Sequence, residues 1–179
     1  MKGLVAVCIL LFSVFNCCKA QHHIIGRKEE SRTLAWSDFA GIPDPTNNSL
    51  AHTYWRVHYW IEDTTMHGDT VSCNFRIHVI FDTSRSWVKQ GKGINEALLK
   101  HEQGHYDIAK LCGRDLKFRF AALVLYKYDY EQKVKRKFDD VFQKYVDIQQ
   151  LYDDESNHGL NEEGQQKWNT VFRREFPDG

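Results

Sequence analysis

The run INEALLKHEQGHYDIAKLCGRDL, Ile94–Leu116, changes the rhythm of the chain. Leu98, His101, His105, Ile108, Cys112 and Leu116 recur at intervals of three and four, the repeat of one helix face. Asn95 stands where an N-cap belongs. The pattern predicts a helix from Ile94 to about Leu125, with a break near residues 120–126. Upstream the period is two. In LAHTYWRVHYWIE (Leu50–Glu62), Thr53, Trp55, Val57, Tyr59 and Ile61 share a face; His52, Tyr54, Arg56, His58 and Trp60 take the other. In TVSCNFRIHVIFD (Thr70–Asp82), Val71, Cys73, Phe75, Ile77, Val79 and Phe81 do the same. Alternation of this kind, rich in β-branched and aromatic residues, predicts strands. EDTTMHGD, Glu62–Asp69, suits the hairpin connection between them.

The outer segments follow from this frame. Residues 21–33 are polar and charged and are expected to form a flexible entry segment. TLAWSDFAGIPDPTNN (Thr33–Asn48) predicts a short strand and then a turn-rich loop. Downstream, Val134, Phe138, Val141, Phe142, Tyr145, Ile148 and Leu151 form one stripe of a second helix over Tyr130–Leu151. Asn161, followed by Glu162 and Glu163, caps a third helix carrying Trp168, Val171, Phe172 and Phe176. Strands first and helices after give an α+β class: a small, mostly antiparallel sheet followed by three helices.

The chain has 179 residues, enough for one domain with a substantial core. Its 24 basic and 24 acidic residues balance, so no global field favours nucleic acid or an anionic membrane. The first twenty residues stand apart. Lys2 precedes the apolar run LVAVCILLFSVF, and the segment ends in the small residue Ala20. Residues 1–20 read as a signal peptide, too short for a comfortable membrane span, with the domain over 21–179 exported to a periplasmic or extracellular place. A lipid-anchored start at Cys17 or Cys18 is the other reading of the same segment. Cys73 and Cys112 then stand in the mature domain, either paired or as two buried thiols.

On a helix, His101 and His105 lie one turn apart and can converge on one metal ion. Glu102 flanks them without becoming a ligand, where it can take a proton from a metal-bound water. A catalytic zinc needs a third protein ligand and one open position. LYDDESNHG (Leu151–Gly159) supplies candidates. His158 is the first choice, because a loop histidine can swing toward the helix. Glu155, Asp153 and Asp154 stay open, the two aspartates equally as groups that orient an imidazole. His52, His58 and His78 share a polar strand face and read as ordinary sheet residues. Tyr106 and Tyr152 are candidate donors to a developing oxyanion.

LLKHEQGHYDIA (Leu98–Ala109), followed by YDDESNHG (Tyr152–Gly159) and QQKW (Gln165–Trp168), resembles an uncharacterised family of bacterial predicted secreted zinc-dependent proteases. LAWSDFAGIP (Leu34–Pro43) and the pair Ser86–Trp87 are similar to further elements of that family and fall in the same order. Ser156 stands where the family pattern has threonine and keeps the hydroxyl. The resemblance implies a zincin-like metallopeptidase with an active-site helix carrying HExxH. It implies Zn²⁺ as cofactor and a peptide or protein as substrate. The expected chemistry is peptide hydrolysis with Glu102 as general base and His101, His105 and His158 on the metal. An exposed edge strand near the helix could hold the substrate in extended form. The other class the sequence allows is a non-catalytic exported module with a structural or vestigial metal site.

Overall fold

The computed structural model describes residues 22–25, 28–29 and 33–177, the first two stretches as backbone strands. The expected signal peptide over residues 1–20, with Cys17 and Cys18 of the lipid-anchor reading, lies outside the described residues. Two short strands, β1 (His22–Ile25) and β2 (Lys28–Glu29), pair antiparallel where the polar composition predicts a flexible entry segment. Their pairing draws on backbone groups, which every residue of the two strands carries.

β3 (Ala51–His52) is short; after it the chain enters the long strand β4 (Trp55–His67) and returns along β5 (Thr70–Phe81). The two long strands pair from Trp55↔Phe81 to His67↔Thr70, with an irregularity between Ile61 and Asp63. The hairpin is therefore tighter than the sequence suggests. Glu62–His67 extends the strand, and Gly68, at φ +62°, turns it. Glycine meets no steric penalty there. β1 adds parallel to β5 on the side away from β4. β6 (Trp87–Val88) pairs with β3 in a separate two-stranded ribbon. The predicted strand near Trp36 is instead a 3-10 turn, Trp36–Asp38, closed by the Asp38 carboxylate accepting from the Ala35 amide at 2.8 Å. A short acidic side chain bonding its own backbone favours a turn over a strand.

Three helices complete the α+β arrangement: α1 (Glu96–Ala121), α2 (Tyr130–Ser156) and α3 (Glu162–Glu175). Between the first two, β7 (Leu125–Tyr126) pairs with the start of β5. The Asn95 side chain accepts from Leu98 N and the Asn161 side chain from Gly164 N, as N-caps do. α1 lies across the sheet face formed by Val57, Tyr59, Ile77, Val79 and Phe81. Ile108, Cys112 and Leu116 press into that face with no exposed surface. Burying a side chain of this size stabilises by about 1.5–3 kcal/mol over leaving it in water. Leu151 leaves the expected stripe of α2 and is 47% exposed, while its neighbour Tyr152 is fully buried. Cys73 and Cys112 are separate free thiols. Among the described residues, no helix is long and apolar enough to cross a membrane.

Candidate metal centre

The HEQGH turn sits in the first half of α1, buried between the β3–β6 ribbon and the C-terminal end of α2. Neighbouring segments hold it. Thr53 Oγ1 donates to the Glu102 carbonyl at 3.1 Å. Leu34 N donates to Gln103 Oε1 at 2.7 Å. Gly41 N in turn donates to Ser86 O at 2.8 Å. The segments LAWSDFAGIP, Ser86–Trp87 and HEQGH thus form one continuous support. Gly104 has a packing reason: a Cβ there would strike the Tyr152 ring, 2.6 Å from Cζ. The missing side chain lets α2 approach α1 closely enough for Tyr152 to stack on His101, with ring centroids 4.7 Å apart.

That approach carries Asp153 to the histidines. Asp153 Oδ1 lies 3.2 Å from His101 Nε2 and 3.1 Å from His105 Nε2, and the two Nε2 atoms are 3.2 Å apart. Asp153 belongs to the last turn of α2 and is not a loop residue. His158 follows in the loop, as expected, with Nδ1 3.4 Å from Asp153 Oδ1 and a side chain 64% exposed. His101, Asp153 and His158 offer ligand atoms within 4.8 Å of one another. Asn157, His158 and Gly159 are consecutive left-handed residues, at φ +46°, +54° and +81°. A non-glycine residue in that region costs on the order of 1–2 kcal/mol. The turn aims His158 back at α2. At Gly159, any Cβ would also press on the His101 side chain at 3.0 Å.

Separations near 3.2 Å suit hydrogen bonds and shared metal ligation alike. Zinc bonds of about 2.0–2.1 Å place tetrahedral ligand atoms roughly 3.3 Å apart. Glu102 Oε2 is buried with no hydrogen-bond partner, whereas Asp153 Oδ1 has the nitrogens of His101, His105 and His158 around it. Buried polar atoms without a partner are costly and need an explanation. Two imidazole nitrogens and a carboxylate oxygen converging on one point could hold a divalent cation of the zinc type. The three groups are also coupled electrostatically. Burial alone would raise the Asp153 carboxyl, but the adjoining imidazoles of His101 and His105 hold it far below the ordinary carboxylate range. Burial pulls His105 down, yet Asp153 and Glu102 outweigh it and leave the ring above the ordinary histidine value.

Other sequence candidates fall elsewhere. Glu155 is taken by α3: its two oxygens accept from Lys167 Nζ at 2.9 Å and Trp168 Nε1 at 2.7 Å. Asp154 accepts from Gln150 on the outer surface. Tyr152 donates its hydroxyl to the His101 carbonyl at 3.0 Å, and Tyr106 is fully buried against Phe81. Neither tyrosine faces a place a substrate could reach. His58 and His78 are cross-strand neighbours, but His52 lies on the other ribbon, opposite Trp87. Two supports escape sequence reasoning. His101 Nδ1 lies 3.1 Å from Gln165 Oε1, and His105 Nδ1 meets Gln149 Oε1. A glutamine on a polar helix carries no signal of its own. The nearest hint is QQKW, which contains Gln165.

The family described as "Bacterial protein of unknown function (DUF922)" matches residues 36–159. The chain belongs to this family. The DUF922 segment takes in His101, Glu102, His105, Asp153 and His158 and stops before α3. No curated protein matches the chain, and no solved structure does.

Proposed function

We propose that this DUF922 protein is an exported, zinc-dependent metallopeptidase of zincin-like type. The observation that carries the reading is the convergence of His101 Nε2, His105 Nε2 and Asp153 Oδ1, with Glu102 Oε2 buried beside them and unpartnered. In this reading His101, His105 and Asp153 hold the ion, and His158 stands at the mouth of the site. A bound Zn²⁺ would supply Lewis acidity, lowering the pKa of a water and polarising a carbonyl. Glu102 takes the proton of the attacking water at Oε2 and returns it to the leaving amine. Support for a peptide substrate comes from β4. On one side it pairs with β5; its other edge opens on a groove of about 380 Å³ running along Tyr54–Tyr59 beside Phe138 and Phe142. An extended peptide can bond such an edge. The apolar leader supports export.

The decisive variant is Glu102→Gln. It is expected to keep its zinc, measured by elemental analysis, while cleavage of a peptide library falls by about 10²–10⁴-fold. Unaltered cleavage would remove Glu102 from the mechanism. Asp153→Ala and His158→Ala rank the third ligand: the variant that empties the site identifies it. One observation favours a second reading. His158 is near enough to Asp153 to close the site as a fourth ligand, which would make the metal structural and the module non-catalytic. That reading predicts a zinc-loaded wild-type chain that cleaves nothing in the library.

A further inference from the structure

The orientation of each glutamine behind the histidines is fixed by its other bonds. Gln149 Nε2 donates to the His105 carbonyl at 2.9 Å, which turns its Oε1 to His105 Nδ1. Gln165 is fixed by a sequence of single protons. Tyr152 has one hydroxyl proton and two acceptors in reach, the His101 carbonyl at 3.0 Å and Gln165 Oε1 at 3.2 Å; the nearer one takes it, and Gln165 presents its Nε2 closer to the phenol oxygen than its Oε1. The phenol oxygen therefore accepts from Gln165 Nε2 at 2.8 Å. The other proton of that amide reaches Asn169 Oδ1 at 3.0 Å. Oε1 is left facing His101 Nδ1. Gln165 and Asn169 are both buried, so water does not reassign these roles.

An amide oxygen only accepts. Each facing Nδ1 must then carry a proton, while Nε2 faces the Asp153 carboxylate and binds a cation only once it is free of its own. We propose that Gln149 and Gln165 are positioning residues that hold the proton of neutral His105 and His101 on Nδ1 and so leave Nε2, beside Asp153, as the atom that meets a cation. Free histidine in water favours the opposite tautomer, in which Nε2–H would block a cation. The acceptors are neutral amides. A carboxylate in their place would make the rings more electron-rich and draw more charge from a bound ion. The choice of glutamine therefore favours a cation that keeps its acidity over one held as tightly as possible. The consequence for metal rests on the reading proposed above; the tautomer assignment does not.

The test uses the mature chain labelled with ¹⁵N-histidine, freed of metal, at a pH where the rings are neutral. Nitrogen–proton correlation spectra should show His101 and His105 protonated at Nδ1. Gln149→Leu should release His105 into the Nε2–H form and weaken the zinc Kd by about 10–100-fold. Gln149→Glu, which keeps an acceptor, should restore the tautomer and bind zinc at least as tightly as wild type. Gln165→Leu should act on His101 in the same way. Because the wild-type spectrum alone reports both tautomers, a variant that folds poorly does not rescue the proposal. Nε2–H rings in the wild type overturn it. So does a Gln149→Leu variant with unchanged tautomer and unchanged zinc affinity. Locked Nδ1–H rings in a chain that binds no zinc would uphold the clamp and end the metallopeptidase reading.

Discussion

The inward faces of the two halves of α1 are equally dry and differently held. Toward its C-terminal end, Ile108, Cys112 and Leu116 have no exposed surface and touch apolar neighbours. Toward its start, His101 and Glu102 are 2% and 4% exposed, yet their neighbours are Asp153, Tyr152, Gln165 and Thr53. Dispersion contacts are many, weak and tolerant of exchange. A buried polar network is directional, and one missing partner leaves others unsatisfied. Stability should therefore be concentrated in the second half and positional precision in the first.

The largest expected effect breaks the apolar half. Leu116→Ala removes a fully buried side chain and should cost about 2–5 kcal/mol in urea unfolding. Zinc stoichiometry of the folded fraction should not change. A variant that lost zinc at wild-type stability would mean the halves are coupled through the helix. Tyr152→Phe cuts the polar half. It strips the His101 carbonyl of its donor and Gln165 of an acceptor, at about 1–3 kcal/mol. Unlike Leu116→Ala, it should also weaken zinc binding in a titration. Equal effects on metal from both variants would erase the contrast. Asn161→Ala sharpens it from outside, because its side chain caps α3 at Gly164 N and ties it to the Glu155 carbonyl of α2 without touching the histidines; about 1 kcal/mol should be lost in thermal unfolding. The smallest effect is chemical. Burial pushes the Cys112 thiol up to about 12, so almost no thiolate forms near neutral pH. A thiol reagent should leave Cys112 untouched until denaturant is added. Rapid labelling in the native chain would show that the apolar half opens.

Much of this contrast was legible in the chain, though not all. Period two over Val71–Phe81 and the three-four spacing over Leu98–Leu116 both correspond to real faces, because burial selects one side of a strand or helix. The same spacing hid the contrast: His101 and His105 fall on the stripe with Ile108 and Cys112, and periodicity does not separate polar burial from apolar. HExxH marks two nitrogens whose geometry is local to one helix. Asp153 was legible only as one of several candidates, since its approach depends on how α2 crosses α1. That crossing depends on Gly104 and Tyr152, which are 48 positions apart and meet only in the folded chain. Leu151 and Tyr152 show the same limit. A rotation of one residue decided which side chain faced inward, and the stripe alone favoured the leucine. At Trp36, a local carboxylate-to-amide bond overrode an apolar pattern that reads as a strand.

Gln165 lies in α3, six residues past the end of the DUF922 match, and it reaches His101 from there. A fragment trimmed to residues 36–159 would keep every side chain a motif search looks for. It would still lose the contact that orients one of its two histidine rings. Such a fragment could be pure, helical and motif-complete and yet bind metal poorly, and an inactive result from it would say little about the whole chain.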